Sequence, residues 1–365
     1  MVGPNAWGQT MTRRIKCLAL YCCWLLGLFA LARLSSRSQL RILCYHGFEL
    51  DDESAFRPKL FMTRATFERR MRTLVASGAP VLTLSEGLRS LHAGELPPGA
   101  VVITIDDGFF SVSEVAAPIL RQLGLPSTLY VSTYYVQKQT PIFQVLIQYL
   151  LWKARRRAVD FGGAVWAPNE RLDLADSAAV AQFADQLVTF GNRLQGERER
   201  QEVAQELART LGVELAPINA ARTMSLLTVA ELRALDRDRM AVELHTHRHR
   251  FPPDDPASCR RELADNSRVL EQALGRRPVH FCYPSGVWQQ AHFKPLADSG
   301  VVSATTCDAG LNNAQTHRFA LRRFLDSEVI TQIEFEAELA GFSDILRRAR
   351  TRLFGRPPSA GYEEH

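Results

Sequence analysis

From residue 40 onward the chain alternates two kinds of segment, and this alternation limits the fold more than any other feature. Six runs read as strands: LRILCYHGF (40–48), AVVITIDD (100–107), STLYVSTYY (127–135), MAVELHTHRH (240–249), PVHFCYPSG (278–286) and VVSATTCDAG (301–310). Between them lie stretches with apolar residues at helical spacing. TRATFERRMRTLVASGA (63–79) has Gly78 as its stop, and EVAAPILRQLGL (114–125) ends at Gly124 before Pro126. TVAELRAL (228–235), CRRELADNSRVLEQALG (259–275) and HFKPLADSG (292–300) read as further helices, and PVLTLSEGLRSLHAG (80–94) as strand then helix. Such alternation predicts parallel strands with helices outside, in a barrel or an open doubly wound sheet.

The rhythm breaks between about 139 and 226. There PIFQVLIQYLLWKARRR, AAVAQFADQLVTFGNRL and ERERQEVAQELARTLGV carry helical patterns with no convincing strand among them. This reads as a helical insertion, a lid or a binding surface. Its first helix is apolar enough to touch a membrane, although packing on the α/β body explains it more simply. Residues 331–353 form a last helical stretch, and the tail GRPPSAGYEEH reads as disordered. The expected division is therefore 1–38, then an α/β body over 39–330, then 331–365.

Before the alternation begins, Cys17–Ala32 is an uncharged run preceded by Arg13, Arg14 and Lys16. It has the layout of a secretory segment and is slightly short for a span, so a signal peptide and an uncleaved anchor fit alike. Arg33, Arg37 and Arg41 follow closely and leave its orientation undecided. Membrane-anchored or exported placement is the expectation, with a cytoplasmic protein as the alternative. The four cysteines of the body, Cys44, Cys259, Cys282 and Cys307, form no CxxC pair, which excludes a zinc ribbon. The net charge of +5 is mild, and its densest basic run is only Arg155, Arg156 and Arg157, so nucleic acid is not an expected partner.

Three strand ends carry reactive side chains. VVITIDDGFF delivers Asp106 and Asp107 side by side, and neighbouring carboxylates are costly to bury unless a cation or hydrogen bonds compensate. One of them can serve a metal and the other a proton. HTHRH places His245, His247 and His249 together. Two residues four apart share a helical face, whereas all three share a face in an extended strand. Two imidazoles and a carboxylate with an open position make a hydrolytic zinc arrangement. In a parallel barrel the C-terminal strand ends gather at one face, so these residues and the turn FCYPSG can meet.

TIDDG (104–108), HTHRH (245–249) and YPSG (283–286), in this order, resemble the motifs of the polysaccharide deacetylase family, carbohydrate esterase family four, whose domain is also called the NodB homology domain. The resemblance covers roughly residues 40–326 outside the insertion. It implies a distorted, incomplete (β/α) barrel and a divalent metal, zinc by preference. Carried over by motif, it makes Asp106 the general base, Asp107, His245 and His249 the metal ligands, and His247 an intervening residue. It places the oxyanion donor in the third motif, at the amide of Ser285 or a neighbour. In many members that motif also carries an arginine that holds the base. Here Cys282 stands in its place, and Arg323 in LRRF (321–324) is the expected substitute. The family's acid histidine, in an L-x-H motif, has no match beyond Phe324, where His365 is the only histidine. LCYH (43–46) resembles the first strand of a permuted subgroup, so His46 is the expected acid.

The implied activity is metal-dependent removal of N-acetyl groups from amino sugars in a polysaccharide, oligosaccharide or lipid-linked glycan. A deformylase or amidase on another amide is the alternative within the same chemistry. A catalytically inactive glycan-binding relative is the alternative outside it.

Overall fold

The structure is a computed structural model that describes residues 4–154, 158–167, 171–194 and 196–354. The basic run 155–157 and the tail 355–365, with His365, lie outside the described residues. Seven strands form one curled sheet: β1 (Arg41–Tyr45), β2 (Val101–Ile105), β3 (Ser127–Val131), β4 (Met240–Leu244), β5 (His280–Cys282), β6 (Ser303–Thr305) and β7 (Phe324–Leu325). Their order is β6-β5-β4-β3-β2-β1-β7, and every neighbouring pair is parallel. Every residue of β1, β2 and β3 is buried, as expected where helices cover a parallel sheet outside and its own side chains fill it inside. The result is a distorted, incomplete (β/α) barrel.

The helices are α1 (Pro4–Leu25), α2 (Leu28–Ser35), α3 (Arg64–Ala76), α4 (Leu84–Ala93), α5 (Ala117–Gln122), α6 (Phe143–Lys153), α7 (Ser177–Arg193), α8 (Glu197–Leu211), α9 (Val229–Arg237), α10 (Pro256–Leu274), α11 (Phe293–Asp298), α12 (Gln332–Leu339) and α13 (Phe342–Phe354). Shorter helical turns lie among them. Thr83 with Glu86, and Thr228 with Glu231, close capping boxes that start α4 and α9 where the sequence places them.

Several local expectations are corrected. The strand expected near 80 is reduced to one bridge, Val81 to Val101, because Pro80 and the Thr83 cap leave too few residues between them. STLYVSTYY stops as a strand at Val131, and Thr133–Lys138 turns helical. Residues 139–226 do contain strands: Ala158–Asp160 pairs antiparallel with Arg171–Asp173. Three residues each is too short for a visible alternation. The stretch 331–353 is two helices, broken at Gly341, whose φ is 78°. The apolar α6 is buried nearly all round and packs on α7 and α8.

α1 and α2 fold back onto the body. Leu20, Phe29 and Ala32 are buried with Ile333, Ala337 and Ala340. No single helix among the described residues is long and apolar enough to cross a membrane; Arg13–Leu25 and Leu28–Ser35 reach that composition only together, bent by 76° at Gly27.

One buried group makes the fold sensitive to acid. His280 opens β5 between two hydroxyls, Ser85 Oγ at 2.7 Å and Ser303 Oγ at 2.8 Å. Burial, then the charge of Arg276, push its ring down from 6.5 to about 4. The unfolded chain therefore takes up a proton below 6.5 that the folded chain refuses until about 4, so stability falls as pH falls through that window. Between pH 7 and pH 5 urea unfolding should show about 2 kcal/mol more loss for wild type than for His280→Gln.

Candidate metal centre and active site

The two carboxylates diverge because the backbone turns sharply between them. β2 ends at Ile105, and the amide of Asp106 still bonds the carbonyl of Tyr45 on β1. Asp107 (φ 70°) and Gly108 (φ 88°) then occupy the left-handed region in succession. A Cβ at position 108 would lie 3.1 Å from a Val131 methyl group, so glycine is required twice over there, by conformation and by space. An aspartate held at positive φ is uncommon, and the strain is sustained by bonds from Ser132 N to Asp107 O and from Leu227 N to Gly108 O.

Asp106 faces Arg323, and both are buried. Nη1 donates to Oδ1 and Nη2 to Oδ2, each at 2.7 Å, a bidentate pair. The remaining guanidinium donors go to Thr306 O at 2.8 Å, Thr104 Oγ1 at 3.2 Å and the Cys282 sulfur at 3.1 Å. Burial alone would push the Asp106 carboxyl up, but the charge and bonds of Arg323 and then the charges of His46 and His245 hold it down, at about 2. Two thiols complete the enclosure: Cys282 Sγ lies 3.3 Å and Cys44 Sγ 3.6 Å from Oδ2. Burial raises both thiols well above their ordinary range, so each stays an S–H donor.

Asp107 faces the histidines. His245 Nε2 lies 3.2 Å and His249 Nε2 3.4 Å from its Oδ1. Ligand atoms of the three residues lie within 4.8 Å of one another. His245 Nδ1 donates to the carbonyl of Cys282 at 2.9 Å, which turns Nε2 toward Asp107. Two imidazole nitrogens and one carboxylate oxygen, one of the rings already oriented by a backbone carbonyl, fit a borderline divalent cation such as zinc.

HTHRH is not extended. β4 stops at Leu244, and Thr246 (φ 62°) and His249 (φ 56°) are left-handed, which brings 245 and 249 to one point. His247 is turned away. Its Nδ1 meets Thr133 Oγ1 at 2.9 Å and its ring edges onto Tyr134, so the three-histidine geometry expected of a strand does not occur.

His46, just past β1, is partly open to solvent, with Nε2 3.8 Å from Asp106 Oδ2. Ser285 sits at φ 52° in the turn Pro284–Gly286 after β5; the amides of Gly286 and Val287 bond back within that turn. Asn266 on α10 was missed by sequence reasoning. Its Oδ1 accepts from the amide of His245, and its Nδ2 donates to Val131 O and Thr133 Oγ1, all at 3.0 Å. A single polar residue within a helix gives no sequence signal. Cys44 was also missed, and it had one: spaced two from His46 at a strand end, it shares that residue's face.

A curled parallel sheet thus gathers a buried carboxylate–arginine pair and an Asp-His-His cluster at its C-terminal edge. The family model described as polysaccharide deacetylase matches residues 216–304, from the helical turn before α9 through β6. The deacetylase PplD of Streptococcus pyogenes, solved in complex with acetate, superposes with a TM-score of 0.56 at 16% identity, covering 83% of this chain and 99% of that one. A de-N-acetylase from Aggregatibacter actinomycetemcomitans gives 0.53 at 13% identity, covering 82% and 99%. IcaB from Ammonifex degensii gives 0.51 at 16% identity, covering 84% and 97%. No curated protein matches the sequence significantly. The polysaccharide deacetylase likeness thus rests on that matched segment, and the solved structures share the fold of the whole barrel.

Proposed function

We propose that this chain is a metal-dependent N-deacetylase of acetylated amino sugars in a glycan, with zinc as its ion. The observation that carries the reading is the pairing of two adjacent centres. Asp107, His245 and His249 converge as one candidate ligand set, and next to them Asp106, itself within reach of His245, is held by Arg323 in a bidentate pair. Binding alone would need no such carboxylate. A divalent ion at the first centre would polarise the amide carbonyl and acidify a water molecule.

The chain's own residues then have separate tasks. Asp106, fixed by Arg323, accepts the proton that water gives up as its oxygen attacks the acetyl carbon. The amide of Ser285 is the donor for the oxyanion that forms. His46, on the open side of Asp106, gives a proton to the nitrogen as the C–N bond breaks, so acetate and a free amine leave. The bond from His245 Nδ1 to the Cys282 carbonyl keeps its Nε2 directed at the ligand cluster.

Acetate release from chitooligosaccharides, measured beside the metal content of the protein, tests the reading. About one ion per chain should be found, chelation should abolish release, and zinc should restore it. A protein that binds no divalent ion refutes the reading. A loaded protein that releases no acetate redirects it to another amide. His46→Ala should keep its metal and lose about 100-fold in kcat; full activity in that variant removes His46 from the mechanism.

A further inference from the structure

We propose that α1, α2 and α13 form a cationic apolar platform that seats the barrel on an anionic lipid bilayer, lying in the membrane surface rather than crossing it. α1 has two faces. Its inner face is occupied: Leu20 is buried with Ile333 and Ala337, Lys16 pairs with Glu334 at 2.6 Å, and Arg13 bonds the carbonyl of Val329. Its outer face carries Met11, Ile15, Leu18, Leu25 and Leu26, whose spacing puts them opposite Leu20. All five are exposed, Leu25 by 74% and Leu26 by 75%. Large apolar residues collected this way on one face mark an interaction surface.

The surface continues past Gly27. Leu31 and Leu34 on α2 are exposed, while the ring of Phe29 on the same helix lies 5.1 Å from that of Phe342 at the start of α13, tilted by 35°. α13 repeats the pattern: Ile345, Leu346 and Leu353 are exposed along one stripe, with Arg350 and Arg352 on its two flanks. A helix with a leucine stripe bordered by arginines is built for the headgroup boundary.

Charge selects the occupant. No Asp or Glu precedes Glu49 in the chain, and none lies between Asp344 and Phe354. Arg14, Arg33, Arg37, Arg348, Arg350 and Arg352 are all exposed. A protein partner would normally match such an apolar patch with mixed charge, whereas anionic lipid offers fatty chains beneath a uniformly negative surface. The packed inner face opposes a span: to stand across the bilayer, α1 would have to leave α12 and uncover Leu20 and Ile333. The 76° bend at Gly27 also keeps α1 and α2 from forming one straight rod. This inference stands apart from the reading of the metal site.

Vesicle co-sedimentation of the full chain, diluted from mild detergent, is the test. The protein should bind phosphatidylglycerol–phosphatidylcholine vesicles and bind pure phosphatidylcholine vesicles far more weakly. Arg348→Gln, Arg350→Gln and Arg352→Gln together should weaken binding about 100-fold. Leu18→Glu with Leu25→Glu should weaken it at least about tenfold while acetate release from a soluble oligosaccharide stays unchanged. These positions are exposed, so unchanged thermal unfolding checks the fold. Trypsin added outside sealed vesicles should cut on both flanks of the apolar run Cys17–Ala32, at Arg14 and at Arg37. Protection of one flank until detergent is added overturns the proposal, as do equal binding to both vesicle types and a mature chain that begins near Arg33.

Discussion

With Asp107, His245 and His249 as the proposed ligands, the Asp106→Asn protein should hold a divalent ion as tightly as wild type and lose about 10³-fold in kcat. The expectation follows from how the two carboxylates are housed. Asp106 contacts Arg323, Cys44 and Cys282, and none of its bonds is shared with Asp107. An amide of the same size keeps the enclosure filled but cannot take a proton, and positioned proton transfer contributes about 10² to 10⁴ in rate. Asp107→Ala should do the reverse at the first step. It removes one of three donors, and loss of even an outer partner of a ligand costs about 10- to 100-fold in metal affinity. Metal content by mass spectrometry and steady-state kinetics on the same preparations separate the two. Equal loss of metal in both variants would show that the division of roles is wrong.

Arg323→Met should be the most destabilising single change in the site. Arg323 is fully buried, and five of its bonds or contacts end on groups that are themselves buried. Removing one partner of a buried pair leaves an uncompensated charge, which costs about 3–5 kcal/mol. The pH dependence should change sign with it. With the arginine gone, burial dominates and raises the Asp106 carboxyl in the folded chain. A group with a raised folded value contributes stability at low pH and loses it as pH rises, so Arg323→Met should be relieved by mild acid. Adding Asp106→Asn should recover part of the loss at neutral pH, because the orphaned charge goes too. Urea unfolding of both single variants and the double variant measures this. Strict additivity would mean that the pair is not coupled.

These residues also show how far a sequence reaches. The strand–helix rhythm implied parallel strands because both signals are local, one of period two and one of period 3.6. TIDDG and HTHRH were legible as chemistry because several reactive groups fall within five residues. What the local signals lacked was direction. Nothing in HTHRH announces that Thr246 and His249 turn left-handed and point His247 at Thr133. The pair Ala158–Asp160 and Arg171–Asp173 is too short to carry a period. Cys282 was legible as a departure from the family pattern, but its own contact with Asp106 depends on where β5 lies beside the closing segment of the barrel.

That closing segment has a consequence for the order in which the site comes into being. Residues 318–321 bond along β6, and Phe324–Leu325 pair with β1, so Arg323 sits in the seam between the two ends of the sheet. It grips a carboxylate 217 positions earlier in the chain. During synthesis, Asp106 therefore waits for its counter-charge until the last strand arrives, and contacts this distant in sequence are slow to form. Until then Asp106 would be a buried charge without its arginine, which favours an open sheet over a closed one. The last strand and the partner of Asp106 thus arrive together, and a chain stopped short of Arg323 should be unclosed and, on the proposed mechanism, inert.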